Sequence, residues 1–269
     1  MQVKFLIGGV LLAVLIIGGL WWWQQNKQES GPNAVPVPTL PPTEAAPATP
    51  NAEIAPVEPR ASEPSLPELP SLDNSDNYVR ESLEPLVAES SEAKLWDSWL
   101  SLDDLVRRFA VVVENATRGD YPRRQLAFLA PAQAFKVQRR EGKIYIDPES
   151  YDRYDPLVDA LLAIPPAEAA EKLIDTSPLV KSALAELGMG SQDPLAAIHS
   201  SIDEVLKVPL LEGRVELVQP KVMYQYADTD IEALPPLAKQ LLRMGPGNVL
   251  RIQAYLRDVD ASMGQLQAP

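Results

Sequence analysis

His199, Ser200, Ser201 and Asp203 stand together in a chain that has a single histidine. On a helix His199 and Asp203 lie four residues apart on one face, so an imidazole–carboxylate hydrogen bond is expected. A Ser-His-Asp triad also needs a nucleophile within reach of the imidazole. Ser200 and Ser201 are helical neighbours of His199 and point elsewhere, and no G-x-S-x-G elbow is present. The favoured role of this group is structural. Asp228, Asp230 and Glu232 alternate like the start of a calcium loop, but the glycine at position six and the distant glutamate are missing. Helix capping by Asp228 or Asp230, ahead of Ile231 to Leu242, accounts for them better. The chain has no cysteine, which excludes disulfides, thiolate metal sites and cysteine nucleophiles. No catalytic residue, metal ligand or cofactor is therefore assigned.

Two other patterns bear on binding. Arg107-Arg108, Arg123-Arg124 and Arg139-Arg140 are doublets in an acidic chain. Converging, they would hold an anionic polymer or lipid headgroup through paired guanidinium groups. Scattered, they are ordinary ion-pair partners, with Asp104–Arg108 at helical spacing, and this is the favoured reading. Tyr151, Arg153, Tyr154 and Asp155 form a polar-aromatic knot, and Arg243, Met244 and Gly245 form a second. Such groups either bracket the fold from inside or line a groove. Tyr151, Arg153, Tyr154, Lys239, Arg243 and Asn248 are the candidate binding residues.

The elements that must position these groups are mostly helical. Ser101 and Asp104 read as a capping box ahead of Leu102, Leu105, Val106, Phe109, Val112, Val113 and Ala116, with Gly119 as the stop. Ser177-Pro178 opens a helix ending at Gly188, and Asp193-Pro194 opens one towards Leu206. Gly245-Pro246 separates a helix over 236–244 from one over 246–262. Leu157 to Leu162 mark another, and 78–87 and 94–100 are shorter candidates, the first disturbed by Pro85. Phe135 to Arg139 and Lys143 to Ile146 read as a hairpin turning at Glu141-Gly142. Arg214 to Val218 and Lys221 to Tyr226 read as a second, turning at Gln219-Pro220. The expected fold class is mainly α with a small antiparallel β component (α+β), behind a single N-terminal transmembrane helix and a disordered proline-rich linker.

The 269 residues carry a formal charge of -13, which argues against a nucleic-acid partner. Residues 5–23 are uncharged and end in Trp21-Trp22-Trp23. As a helix they span roughly 28 Å, close to a bilayer's hydrocarbon thickness, with the tryptophans at headgroup level. No small-residue cleavage site follows, so residues 1–27 read as an uncleaved membrane anchor rather than a removed signal peptide. Residues 28–75 hold 12 prolines, seven acids, one base and no aromatic residue. Such a segment cannot bury enough apolar surface to fold, and it reads as an acidic linker reaching about 40 Å as a coil. Residues 76–269 are then the mainly helical globular domain, with a net charge of -9.

The block from Ile231 through Lys239 and Arg243 to Asn248 resembles a bacterial membrane-anchored family filed as domain of unknown function 3014. So do Tyr224-Gln-Tyr-Ala-Asp228, Leu105-Val-Arg-Arg-Phe109 with Glu114-Asn115 and Gly119, and Tyr151-Asp-Arg-Tyr154-Asp155. The likeness covers residues 78–265 and implies a two-membrane envelope, but no activity. The expectation is a single-pass protein of the inner (cytoplasmic) membrane, contacting the bilayer through residues 5–23. Its C-terminal domain would sit in the periplasm as an interaction or scaffold module for an envelope protein partner. The alternatives are a cell-envelope hydrolase using paired carboxylates and a sensor of anionic polymer or lipid. An enzyme is the less favoured reading.

Overall fold

A computed structural model describes residues 69–190 and 192–268. The anchor expected over 5–23 and most of the linker expected over 28–75 lie outside the described residues. Among those described, no helix is long and apolar enough to cross a membrane.

A 3₁₀ turn at Leu72–Asn74 leads into α1 (Ser75–Val87), followed by α2 (Ala93–Leu100) and α3 (Leu105–Ala116). Strands β1 (Val137–Arg140) and β2 (Lys143–Ile146) precede α4 (Glu149–Asp152), α5 (Asp155–Leu162), α6 (Pro166–Asp175), α7 (Ser177–Glu186) and α8 (Pro194–Leu206). Then come β3 (Glu216–Val218), β4 (Gln225–Tyr226), α9 (Thr229–Glu232), α10 (Pro236–Leu242) and α11 (Pro246–Leu266). The strands form one antiparallel sheet in the order β1-β2-β3-β4. The α+β architecture expected from periodicity is present.

The 21-residue α11 is the axis of the domain. At 1.5 Å per residue it runs about 30 Å. Its buried residues Asn248, Val249, Ile252, Gln253, Tyr255, Val259 and Met263 recur at helical spacing, so one continuous stripe faces inward. Against one end of that stripe pack Val158, Leu217, Tyr226 and Leu241 from the sheet and neighbouring helices. Against the other pack Val113, Ala170, Ile198 and Ile202. A separate cluster joins α3 to α7 through Val106, Ala110, Val180 and Leu184. Gln253 is buried, and its Nε2 donates to the carbonyls of Val205 (3.1 Å), Leu206 (3.4 Å) and Val208 (2.9 Å). Those carbonyls lie at and just beyond the C-terminus of α8; that of Val205 also accepts from the Val208 amide at 3.2 Å. One side chain thus closes α8 from within the core.

Several details differ from the sequence reading. Leu69 and Leu72 pack on the α3–α7 cluster and Ser75 is 1% exposed, so the last residues of the expected linker belong to the fold. Pro85 lies inside α1. The carbonyl it leaves without a helical donor is that of Glu81, and both residues are exposed, so water can satisfy the group. Ser101 does not cap α3. Asp104 turns the chain at φ 59°, and the Asp76 carboxylate of α1 accepts from the amides of Asp104 and Leu105, both at 2.9 Å. The partner of Asp104 is Arg107, not Arg108.

The first hairpin turns at Glu141-Gly142 as expected, with φ 51° and 76° at the two positions, the left-handed pair a type I′ turn requires. The second does not turn at Gln219-Pro220. Leu217 pairs with Tyr226 and Val218 with Gln225, which leaves a six-residue loop over 219–224. The helix expected over 236–244 is present as α10, and the segment that Asp228 caps is a separate short helix, α9, divided from it before Pro236. Helix α6 was not anticipated, yet Ala170 lies fully buried against α11.

Candidate functional site

The two polar-aromatic knots are one cluster. Pro246 starts α11 directly after Gly245, and Gly245 has φ 85° and ψ 157°. The Tyr151 ring lies on that glycine so closely that a Cβ there would sit 2.5 Å from Tyr151 Cγ. Asn248, one turn into α11 and 6% exposed, donates from Nδ2 to Asp155 Oδ1 (2.7 Å) and to the Met244 carbonyl (3.2 Å). Its Oδ1 accepts from Arg251 Nη1 (3.3 Å), and Arg251 in turn pairs with Asp159. The series Asp155–Asn248–Arg251–Asp159 joins α5 to α11 along their shared seam.

Arg153 is held between aromatic faces, 4.8 Å from the Tyr154 ring centre and 5.3 Å from that of Phe135. Its Nε donates to the Ser150 carbonyl at 2.8 Å, and a second nitrogen reaches the Tyr154 hydroxyl at 3.3 Å. Gln240 of α10 donates to the same hydroxyl at 3.2 Å. Ser150 is fully buried and ties α4 to the segment before β1, donating to the Lys136 carbonyl and accepting from its amide.

Lys239 donates from Nζ to the Glu232 carbonyl (2.8 Å) and carboxylate (3.1 Å), and Glu232 also accepts from the Tyr226 amide at 2.9 Å. Burial raises the Glu232 pKa, but the Tyr226 amide, Lys239 and Arg243 outweigh it, and the carboxyl ends below its usual range. Burial pushes the Tyr226 phenol up to about 12. Arg243 opposes that rise, and Tyr151, Glu232 and Tyr154 add to it. Tyr121 is raised by burial and then by Tyr154, and Tyr151 by burial. At neutral pH the Tyr121, Tyr151 and Tyr226 phenols are therefore neutral, and Glu232 is ionised and paired. Arg243 makes no side-chain hydrogen bond or ion pair among the described residues.

All six candidate residues come together here, most of them engaged with the fold itself. Gln240, Ser150, Tyr226 and Glu232 complete the cluster; the first three were not candidate site residues, and Glu232 stood only in the calcium-loop-like run with Asp228 and Asp230. A lone glutamine and serine carry no spacing signal.

The other candidates separate. His199 Nδ1 pairs with Asp260 of α11, not with Asp203, and Ser201 bonds back to the Ile198 carbonyl. Asp228 caps α9 by accepting from Asp230 and Ile231 amides, as expected. Arg107 is ringed by Asp73 (2.5 Å), Glu186 (2.7 Å) and Asp104 (2.9 Å), with Glu186 foremost in raising its pKa. Arg139 and Arg140 lie exposed on β1. Among the described residues no group of three His, Asp or Glu side chains is placed to hold a metal ion.

Two open grooves mark the surface. One, of about 490 Å³, lies between Glu89, Asp159, Leu162 and Arg251. The other, of about 510 Å³, is lined by Leu211, Glu212, Glu216, Asp228 and Ile231. Glu216 is paired with Lys143 and Asp228 is the α9 cap, so two of the second groove's three carboxylates already have partners. Elsewhere Trp96, Trp99 and Phe128 meet edge to face, with ring centres 5.1 and 6.1 Å apart. Trp96 is fixed by its bond to the Ala160 carbonyl, and Phe128 is 38% exposed.

No curated protein and no solved structure matches the chain. Residues 105–260, from the first turn of α3 to the middle of α11, match the family model described as protein of unknown function (DUF3014), and the chain belongs to that family.

Proposed function

We propose that the protein is a single-pass inner-membrane protein, anchored by residues 5–23, that displays its α+β domain in the periplasm as an interaction module. The Trp96–Trp99–Phe128 run carries this reading. Large aromatic side chains, half-buried and braced by their neighbours, supply contact area at small entropic cost and dominate the energetics of protein interfaces. The open grooves and the committed carboxylates of the second groove support the same reading over a hydrolase, which needs two facing acids free to serve as acid and base. The action is positional: the anchor confines the domain to a shell above the bilayer and raises its effective concentration for partners there.

The test is photo-crosslinking in cells of the full chain with a benzoylphenylalanine in place of Phe128. A discrete protein adduct that disappears with Trp99→Ala is expected. Lack of any adduct, or hydrolysis of cell-wall or lipid material by the purified chain, would overturn the reading.

A further inference from the structure

We propose that the hairpin end of the sheet is a docking site for an anionic bilayer surface. The strand register brings the relevant residues to one place. Arg140 pairs with Lys143 across the β1–β2 turn, and Ile144 pairs with Leu217, so Val218 lies level with Lys143. The β3–β4 loop over 219–224 therefore leaves the sheet at the same end as the Glu141-Gly142 turn.

That end is apolar at its tip. Val222 is 85% exposed and Met223 69%, with Val218 behind them at 42%. The tip is built rather than loose. Gln219 Nε2 donates to the Val222 carbonyl at 3.1 Å, and Tyr224 at the loop's base packs against Phe135 with the rings tilted and their centres 5.8 Å apart. Two adjacent large apolar side chains held out on a braced loop have no use in the fold and suit insertion among lipid headgroups.

At the same end of the sheet stand Arg139, Arg140 and Lys143, with Lys221 in the loop itself. Lys143 is paired with Glu216, and Glu141 occupies the turn. The other three bases have no ion-pair partner among the described residues and are exposed. This end is thus locally positive in a chain of net charge -13. Basic groups ringing an apolar wedge complement a layer of phosphate headgroups above acyl chains. Each base near such a surface contributes roughly fivefold to partitioning, so removing three is expected to weaken docking about 100-fold.

The inference rests on the exported-domain reading only for its setting, and its test separates the two. The chain has no cysteine, so Met223→Cys gives a single site for an environment-sensitive fluorophore, with Leu250→Cys, 52% exposed, as the control position. The labelled full chain is mixed with vesicles of phosphatidylcholine, or of phosphatidylcholine with 30% phosphatidylglycerol. Emission at position 223 is expected to shift blue only with the anionic vesicles. The shift should vanish in high salt and in Arg139→Gln/Arg140→Gln/Lys221→Gln, while position 250 stays unchanged. Equal emission at 223 with both vesicle types would overturn the proposal, as would an equal shift at 250. A full chain that fails to sediment with neutral vesicles would instead count against the anchor, and leave the reading at position 223 decisive for the tip.

Discussion

Replacing Gly245 with alanine tests the junction on which the polar-aromatic cluster is built. The backbone there sits at φ 85° and ψ 157°, a region essentially reserved for glycine, and forcing another residue into it costs about 1–3 kcal/mol. The added methyl would also lie 2.5 Å from Tyr151 Cγ and 2.8 Å from Tyr151 Cβ. Relieving that overlap means displacing α4 or the start of α11, an overpacking cost of about 1–3 kcal/mol more. The sum, about 4 kcal/mol, is a large part of the stability of an ordinary domain. In a folded unit of this size it lowers Tm by roughly 8–16 °C. Urea denaturation followed by far-ultraviolet circular dichroism would measure it. Gly245→Ala/Tyr151→Ala should lose about 1–2 kcal/mol less than the two single changes added together, because the ring part of the overlap is gone while the backbone strain stays. A Gly245→Ala protein within about 0.5 kcal/mol of the parent would refute the reasoning, since that is the range of changes away from such features.

Asp76→Ala removes the acceptor for two amides at the start of α3 and should cost about 1–2 kcal/mol in urea denaturation, whereas Ser101→Ala should cost less than about 0.5 kcal/mol. The reverse order would restore the local capping box. Tyr226 and Tyr255 are each pushed by burial to about 12. Their folded values exceed the unfolded value of about 10, so the stabilisation they give is whole below pH 10 and is lost as pH rises towards 12. An ultraviolet titration should show Tyr226 and Tyr255 ionising late, and Tyr226→Phe should flatten the alkaline limb of the stability profile.

What could be read from sequence divides by range. The turn at Glu141-Gly142 and the caps at Asp193 and Asp228 rest on neighbours within a few residues, and they stand as expected. Ser101-x-x-Asp104 satisfied the same local rule but lost to Asp76, 28 residues away, because a carboxylate brought by α1 reaches the orphan amides first. Register of the second hairpin depended on how β3 pairs along the edge of β2 and which of its side chains turn to the core, information that no turn dipeptide contains. Helix α6 has no side-chain cap, and Pro166 at its first helical position was the one local start signal it offered. The two knots, around Tyr151–Asp155 and Arg243–Gly245, were visible in the sequence; that they meet required the contact of the Tyr151 ring with Gly245.

The central claim is that residues 5–23 stay embedded in lipid with the domain on the far side of the inner membrane. The most direct measurement is the activity of an alkaline phosphatase fused after Pro269, compared with a fluorescent protein that matures only in the cytosol, in membranes washed at high pH. The account predicts phosphatase activity retained in the washed membranes and no cytosolic fluorescence. Fluorescence with an inactive phosphatase, or release of the protein by the wash, would contradict it.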